Sequence, residues 1–173
     1  MFNTWSITDN FRTLLTYSYN HAEYSEDVFF RNRDFGERDE DGNIIPENVD
    51  GNTLALTPEH KASLSAIYVW PSQIGEFTFS TTYSYMDERF FDPGNHNSED
   101  SYEILDATVS WTHTSGRYQI LASATNLTDE ENFNTHSCSV PSGATYGTPN
   151  WQFTCSGNPI DQRLWEVQFM LKI

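Results

Sequence analysis

Residues 163–173 read Arg-Leu-Trp-Glu-Val-Gln-Phe-Met-Leu-Lys-Ile, and this stretch constrains the fold more than any other. Trp165, Val167, Phe169, Leu171 and Ile173 share one parity, and Leu164, Glu166, Gln168, Met170 and Lys172 the other. Successive strand side chains point to opposite faces, so a strand here has one wholly apolar face and one mostly polar face. The alternation runs to the last residue, which makes the C-terminus itself part of a strand. Two architectures accept such a strand. A membrane β-barrel sets lipid against the apolar side and an aqueous or plug-filled lumen against the other. A soluble sandwich turns the apolar side to a core.

Composition narrows the functions but not this choice. The 173 residues suffice for one domain with a sizeable core. A formal net charge of -16 excludes a nucleic-acid binder, which needs a basic face to meet phosphates. Mean hydropathy is -0.60 and no run approaches 18 apolar residues, so no transmembrane helix is encoded. Alternating barrel strands average out to polar and escape that test. Met1-Phe2-Asn3-Thr4-Trp5 lacks the basic start and apolar stretch of a signal peptide. The chain is therefore expected to be cytoplasmic, processed, or the tail of something longer.

In chain order, residues 1–10 read as irregular, with Thr8-Asp9-Asn10 a turn signal. A strand follows within 11–24, where Phe11, Thr13, Leu15, Tyr17 and Tyr19 oppose Arg12, Leu14, Thr16, Ser18 and Asn20. After a polar loop at 25–52, Ala62, Leu64, Ala66, Tyr68 and Trp70 oppose Lys61, Ser63, Ser65 and Ile67. A tight connection at 71–75 leads to Phe77, Phe79, Thr81, Tyr83 and Tyr85, set against Thr78, Ser80, Thr82 and Ser84. Beyond a loop at 91–101, Leu105, Ala107, Val109 and Trp111 oppose Asp106, Thr108, Ser110 and Thr112. A tight turn at 114–116 precedes Tyr118, Ile120, Ala122 and Ala124, opposed by Gln119, Leu121, Ser123 and Thr125. A long loop at 129–159 leads to the closing strand.

Two regularities emerge from these six strands. Connections alternate long and short, as in outer-membrane barrels with short periplasmic turns and long extracellular loops. Aromatics also bracket the short turns, Trp70 and Phe77 at one and Trp111 and Tyr118 at the other. Trp and Tyr favour membrane–water interfaces, where the ring is buried and the polar atom wet. Both features favour a barrel over a sandwich without closing the choice.

Chemistry-bearing groups are sparse. The 25–52 loop holds nine acids and three bases, most simply a solvated surface segment. Asp39-x-Asp41-x-Asn43 begins like a calcium-binding EF-hand loop, but Ile44 stands where that loop needs glycine. His21, His60, His96, His113 and His136 are scattered. His96, among Asp92, Asn95 and Glu99, is the best metal candidate, set against a plain solvated histidine. Lys61, Asp106, Glu166 and Lys172 read as wetted wall residues. No nucleophile elbow or glycine-rich phosphate loop occurs, so no catalytic residue is assigned.

Four stretches resemble the C-terminal barrel region of TonB-dependent outer-membrane receptors. Residues 51–60, ending Pro58-Glu59-His60, resemble the family's approach to a strand. Tyr83-Ser84-Tyr85 with Phe90-Phe91-Asp92-Pro93 resembles the next strand and its exit. Asn126-Leu127-Thr128-Asp129 resembles the signature on the penultimate strand, and Arg163-x-Trp165 the entry to the last. The family usually ends in an aromatic, where this chain has Ile173, and its barrel has about 22 strands against the six counted here. Its plug domain and energy-coupling box are not found in these residues.

The resemblance implies an all-β fold, an antiparallel up-and-down transmembrane β-barrel portion, with residues 1–173 the C-terminal part of a receptor. It implies TonB-energised uptake of a scarce ligand, the iron–siderophore class first, in the outer membrane of a Gram-negative bacterium. Its partners would be outer-membrane lipid, the remaining strands, the plug, the TonB system and a siderophore-like small molecule, with no cofactor and no nucleic acid. Export through the oxidising periplasm further implies a Cys138–Cys155 disulfide in the last external loop. Leu64, Tyr68, Phe79, Val109, Trp111, Ile120, Val167 and Phe169 are then expected to face lipid, and Ser63, Thr82, Ser110, Ser123 and Gln168 the lumen. The competing expectation is a secreted or periplasmic β-sandwich that binds carbohydrate. A small porin-like barrel comes third, because the smallest have eight strands.

Overall fold

Every strand carries a row of N–H and C=O groups along each edge, and those rows must find partners. A computed structural model, which describes residues 1–139 and 154–172, shows how they do so. In chain order the strands are β1 (Phe2–Thr8), β2 (Phe11–Tyr19), β3 (Phe29–Phe30), β4 (Glu47–Asn48), β5 (His60–Ser72), β6 (Gly75–Met86) and β7 (Arg89–Phe90). They continue with β8 (Ser98–Glu99), β9 (Tyr102–His113), β10 (Tyr118–Thr125), β11 (Phe133–Ser139), β12 (Thr154–Pro159) and β13 (Leu164–Leu171). Seven of these form one antiparallel up-and-down sheet in the order β1-β2-β5-β6-β9-β10-β13. The other six pair as three hairpins, β3 with β4, β7 with β8 and β11 with β12.

The register aligns like with like across the sheet. One row runs Phe11, Tyr68, Phe79, Val109, Ala122, Val167. A second runs Trp70, Phe77, Trp111, Ile120, Phe169. Both lie on one face, together with Leu15, Leu64, Tyr83 and Leu105. Ser63, Thr82, Ser110, Ser123 and Gln168 lie on the other. There the hydroxyls bond one another, Ser65 Oγ to Thr82 Oγ1 at 2.9 Å and Ser84 Oγ to Ser63 Oγ at 3.4 Å. Asp106 and Glu166 share that face and accept from the Asn126 N–H and Gln168 Nε2.

Nothing among the described residues covers the apolar face. Trp70 is 50% exposed and Val167 74% exposed, whereas Val49, the one fully buried large side chain among the described residues, belongs to a loop. A sandwich needs a second sheet against that face, and the sheet has none, so the sandwich expectation fails. Rings mark both ends of the apolar band. At the short-turn end Trp70, Phe77, Trp111, His113, Tyr118 and Phe169 run ring to ring at 5.5–6.5 Å. At the far end stand Tyr17, Tyr19, Tyr83 and Tyr85. From Ala62 to Trp70 the wall measures about 26 Å along the strand, or about 20 Å once tilted, close to the apolar height of an outer-membrane barrel.

Three short connections share one end of the sheet and three long ones the other. The short ones are Asp9-Asn10, Gln73-Ile74 and residues 114–117. Gly75 has φ +142, and a Cβ there would stand 2.2 Å from the Thr112 carbonyl oxygen, so the tight turn and the neighbouring strand leave room for glycine alone.

Several expectations change. Residues 2–8, read as irregular, form β1, which pairs with β2 from Phe2↔Thr16 to Thr8↔Phe11 with a shift between Ser6 and Thr8. Its residues do not divide into an apolar and a polar set, so pairing with β2 makes the strand, not its own pattern. The first expected strand also stops at Tyr19, and the long loops are folded hairpins instead of featureless segments. The closing strand, expected to run to the last residue, ends at Leu171 with Lys172 beyond it, and Ile173 lies outside the described residues.

An arginine on a lipid-facing site at mid-bilayer costs ~2–4 kcal/mol. Val109→Arg in the full-length barrel should lose that much in a denaturant titration in lipid, and Ser110→Arg, one residue on but facing the other way, far less. Equal losses would show that the two faces are not lipid and lumen.

Candidate functional site

The described parts of the three long connections, residues 20–59, 87–101, 126–139 and 154–163, converge at one end of the wall. The middle one locks the other two together. Its turn is set by Asp92, whose carboxylate accepts from the N–H of Asn97 at 2.8 Å and of Gly94 at 3.0 Å. The same carboxylate reaches Asn32 Nδ2 of the first loop at 3.3 Å. Asn32 is itself buried, and its Oδ1 accepts from the N–H of Asp34 and Phe35. Asp and Asn favour such turns because a short side chain bonds its own backbone two residues on.

First and second loops meet at His96. Its Nε2 lies 2.8 Å from Glu47 Oε2, and its ring stacks on Phe35 at 5.4 Å. Asn52 Nδ2 donates to the Pro93 carbonyl at 2.9 Å and the Leu56 N–H to that of Phe90 at 2.8 Å. Between them Phe35, Glu37, Ile45, Pro46, Glu47 and His96 line a cleft of about 380 Å³. Second and third loops meet at Glu99, which accepts from the Phe133 N–H at 3.0 Å and pairs with His136 Nδ1 at 3.7 Å. The Phe91 ring lies 4.4 Å from that of His136. Arg89, 6% exposed, donates to the Phe133 carbonyl and the Met86 sulfur, with its guanidinium over Phe91 and Tyr102.

Asn126 anchors the third loop. It is 2% exposed and has φ +51, the left-handed conformation that Asn tolerates better than most residues. Its N–H donates to Asp106 Oδ1 on the wall at 2.9 Å. Its Nδ2 donates to the carbonyls of Glu130 and Asp161, and its Oδ1 accepts from the Glu130 N–H and Thr128 Oγ1. The side chain thus ties the loop's exit to its return, and the backbone N–H of the same residue ties both to the sheet. Across β11 and β12, Cys138 and Cys155 stand opposite each other, Cα atoms 4.0 Å apart and sulfurs 2.04 Å apart.

The site candidates read from sequence resolve differently. His96 has neither Asp92 nor Glu99 as a partner: those acids bond backbone N–H groups and His136, and His96 instead bridges two loops. Asp39 holds its own turn, accepting from the N–H of Asp41 at 3.1 Å and of Asn43 at 2.7 Å and from Asn43 Nδ2 at 3.1 Å. Its oxygens are spent on the tip and not arranged for calcium. The pairing of Glu47 with His96 and of Glu99 with His136 gave no signal in the sequence, since the partners lie far apart among many polar residues.

Two outcomes follow from these contacts. Replacing Asn126 with Ala strands several buried polar groups, each worth about 1–3 kcal/mol. Asn126→Ala should therefore lower the thermal midpoint of the protein in detergent well beyond Thr128→Val, which removes one hydroxyl. The bonds from Asn43, and then that from Asp41, hold the Asp39 carboxyl below the usual carboxylate range. The folded value is depressed, so the contribution is full above the ordinary range and fades as pH falls through the lowered one. Hydrogen exchange at residues 37–45, corrected for intrinsic rate, should stay slow through the ordinary carboxylate range and quicken below it. Asp39→Ala should quicken it at every pH.

The family model "TonB dependent receptor-like, beta-barrel" matches residues 2–127. Among curated proteins no sequence matches the chain significantly. Solved structures that share its fold include two receptors. The ferric yersiniabactin uptake receptor FyuA from Yersinia pestis superposes with TM-score 0.70 at 15% identity, over 97% of this chain and 22% of that one. The siderophore receptor PiuA from Acinetobacter baumannii superposes with TM-score 0.68 at 18% identity, over 96% of this chain and 20% of that one. The chain spans about a fifth of the length of each. An open up-and-down sheet, aromatic at both rims and looped at one end, together with the family match over most of its length, makes this chain a member of the TonB-dependent receptor β-barrel family.

Proposed function

We propose that residues 1–173 are the C-terminal part of a receptor barrel that takes up a scarce ligand of the iron–siderophore class across the outer membrane of a Gram-negative bacterium. The observation that carries this reading is the cap of three interlocked loops on one end of a wall that belongs to the family. Such a cap presents rings and carboxylates to the outside while the wall spans the bilayer. The siderophore receptors among its structural relatives support the ligand class. The remaining strands would pair with the free edges of β1 and β13 and close the barrel. The plug would fill the lumen and link the barrel to TonB, whose energy releases the ligand inward. Lipid would cover the exposed apolar face.

The test is transport by the full-length gene in a strain lacking its own siderophore receptors. Radioactive iron presented on a panel of siderophores should enter for at least one of them, and entry should stop when TonB is deleted. Entry that persists without TonB, or none on any siderophore while the barrel is folded in the membrane, would contradict the proposal.

The third loop also belongs to this reading. We propose that Cys138 and Cys155 are oxidised in the exported protein. Closing a loop of 17 residues contributes about 3 kcal/mol on the chain-entropy account. Alkylation without reductant followed by mass spectrometry should find neither cysteine modified. Two adducts would rule the bridge out.

A further inference from the structure

The loop-bearing rim of the wall holds a cluster of metal-ligating side chains outside the contacts that lock the loops together. Glu59 and His60 enter β5, and Asp87 leaves β6. The Asp87 N–H donates to the His60 carbonyl at 3.0 Å, so the ladder itself sets Asp87 across from His60. Glu59, His60 and Asp87 each offer one ligand atom, and these atoms lie within 4.8 Å of one another, all half-buried.

A tyrosine orients His60 and another orients Asp87. The Tyr17 hydroxyl is hydrogen-bonded to His60 Nδ1 at 2.8 Å. The Tyr85 hydroxyl donates to Asp87 Oδ1 at 3.0 Å. Rings of Tyr17 and Tyr19 flank His60 at 6.0 and 5.2 Å. Metal-bound histidines and carboxylates are held in this way, with an outer partner fixing the ring and leaving one atom free for the ion. Among the described residues no hydrogen bond reaches His60 Nε2.

Charge at this corner is one-sided. A cleft of about 250 Å³ beside the group is lined by Glu23, Glu59, Asp87 and Glu88, with His21 among them. His21 lies 3.5 Å from Glu59 and 3.4 Å from Glu23. Among the described residues no lysine or arginine pairs with Glu59 or Asp87.

We propose that Glu59, His60 and Asp87 bind a first-row divalent metal ion of the zinc class, with water or His21 completing the shell. An imidazole with two carboxylates suits zinc and its neighbours better than magnesium or calcium, which take oxygen alone. Ligand atoms around a tetrahedral zinc stand about 3.3 Å apart, so the three close by roughly an ångström on binding. The ion would pin the bases of the first and second loops at the rim where strands β2, β5 and β6 end. This inference is independent of which ligand the receptor carries.

Zinc chloride titrated calorimetrically into the full-length receptor in detergent, at neutral pH and after chelator treatment, should show a binding event. His60→Ala and Asp87→Asn should each abolish it, and Tyr17→Phe, which changes only the orienting partner, should weaken it 10–100-fold. Excess magnesium should not compete. A gel-mobility shift on heating reports that each variant barrel is folded. A second measurement needs no variant: zinc should protect His60 from diethyl pyrocarbonate in the wild-type protein, read by peptide mass spectrometry. Absence of zinc binding, binding unchanged in His60→Ala and Asp87→Asn, or His60 modified equally with and without zinc would each overturn the site.

Discussion

A strand facing hydrocarbon can give its backbone N–H and C=O groups to nothing but another strand. Each group left alone there costs several kcal/mol, so a membrane admits closed barrels and rejects open sheets. The seven-stranded wall obeys this rule internally: β2, β5, β6, β9 and β10 are paired on both sides. Among the described residues β1 and β13 are each paired on one side only, and no second layer covers the apolar face. The proposal that further strands complete a barrel rests on those two edges and that face. The period-2 pleat does the rest. It carries Val109 and Phe169 to one face and Ser110 and Gln168 to the other without any long-range instruction.

The loops solve a different problem. They stand in water, where a polar backbone has no need of protein partners, yet they are tied to one another through Asp92, His96, Glu99 and Arg89. The arrangement places the middle hairpin between its neighbours, in contact with the first loop through His96 and with the third through Glu99. Asn126 then connects the third loop to Asp106 on the wall. The loops are thus carried on a regular sheet, a scaffold that can hold exposed side chains in place without burying them.

Sequence showed the wall far better than the cap. In β5, β6, β9 and β13 the two faces differ in composition, so alternation announces each strand and its orientation. β1 escaped because Phe2, Thr4 and Ser6 on one parity and Asn3, Trp5 and Ile7 on the other differ little in polarity. The polar β11 and β12 escaped for the same reason, since neither of their faces is apolar. Asn-Leu-Thr-Asp was visible as a signature, but its role needs the left-handed Asn126 and partners near residues 106, 130 and 161. The rim cluster could have been found: counting outward from Gln73-Ile74 pairs Lys61 with Met86 and sets Asp87 beside His60. The link from Glu47 to His96 could not, because many exposed acids compete for each histidine and tertiary folding alone selects one.

The central claim is that this sheet depends on strands and lipid outside itself. Size-exclusion chromatography of residues 1–173, refolded with and without detergent, tests it most directly. The account predicts aggregation or elution in the void volume without detergent, and dispersed material only when detergent covers the apolar face. A sharp, folded monomer peak near 20 kDa in plain buffer, matching the 19.9 kDa chain, would contradict it.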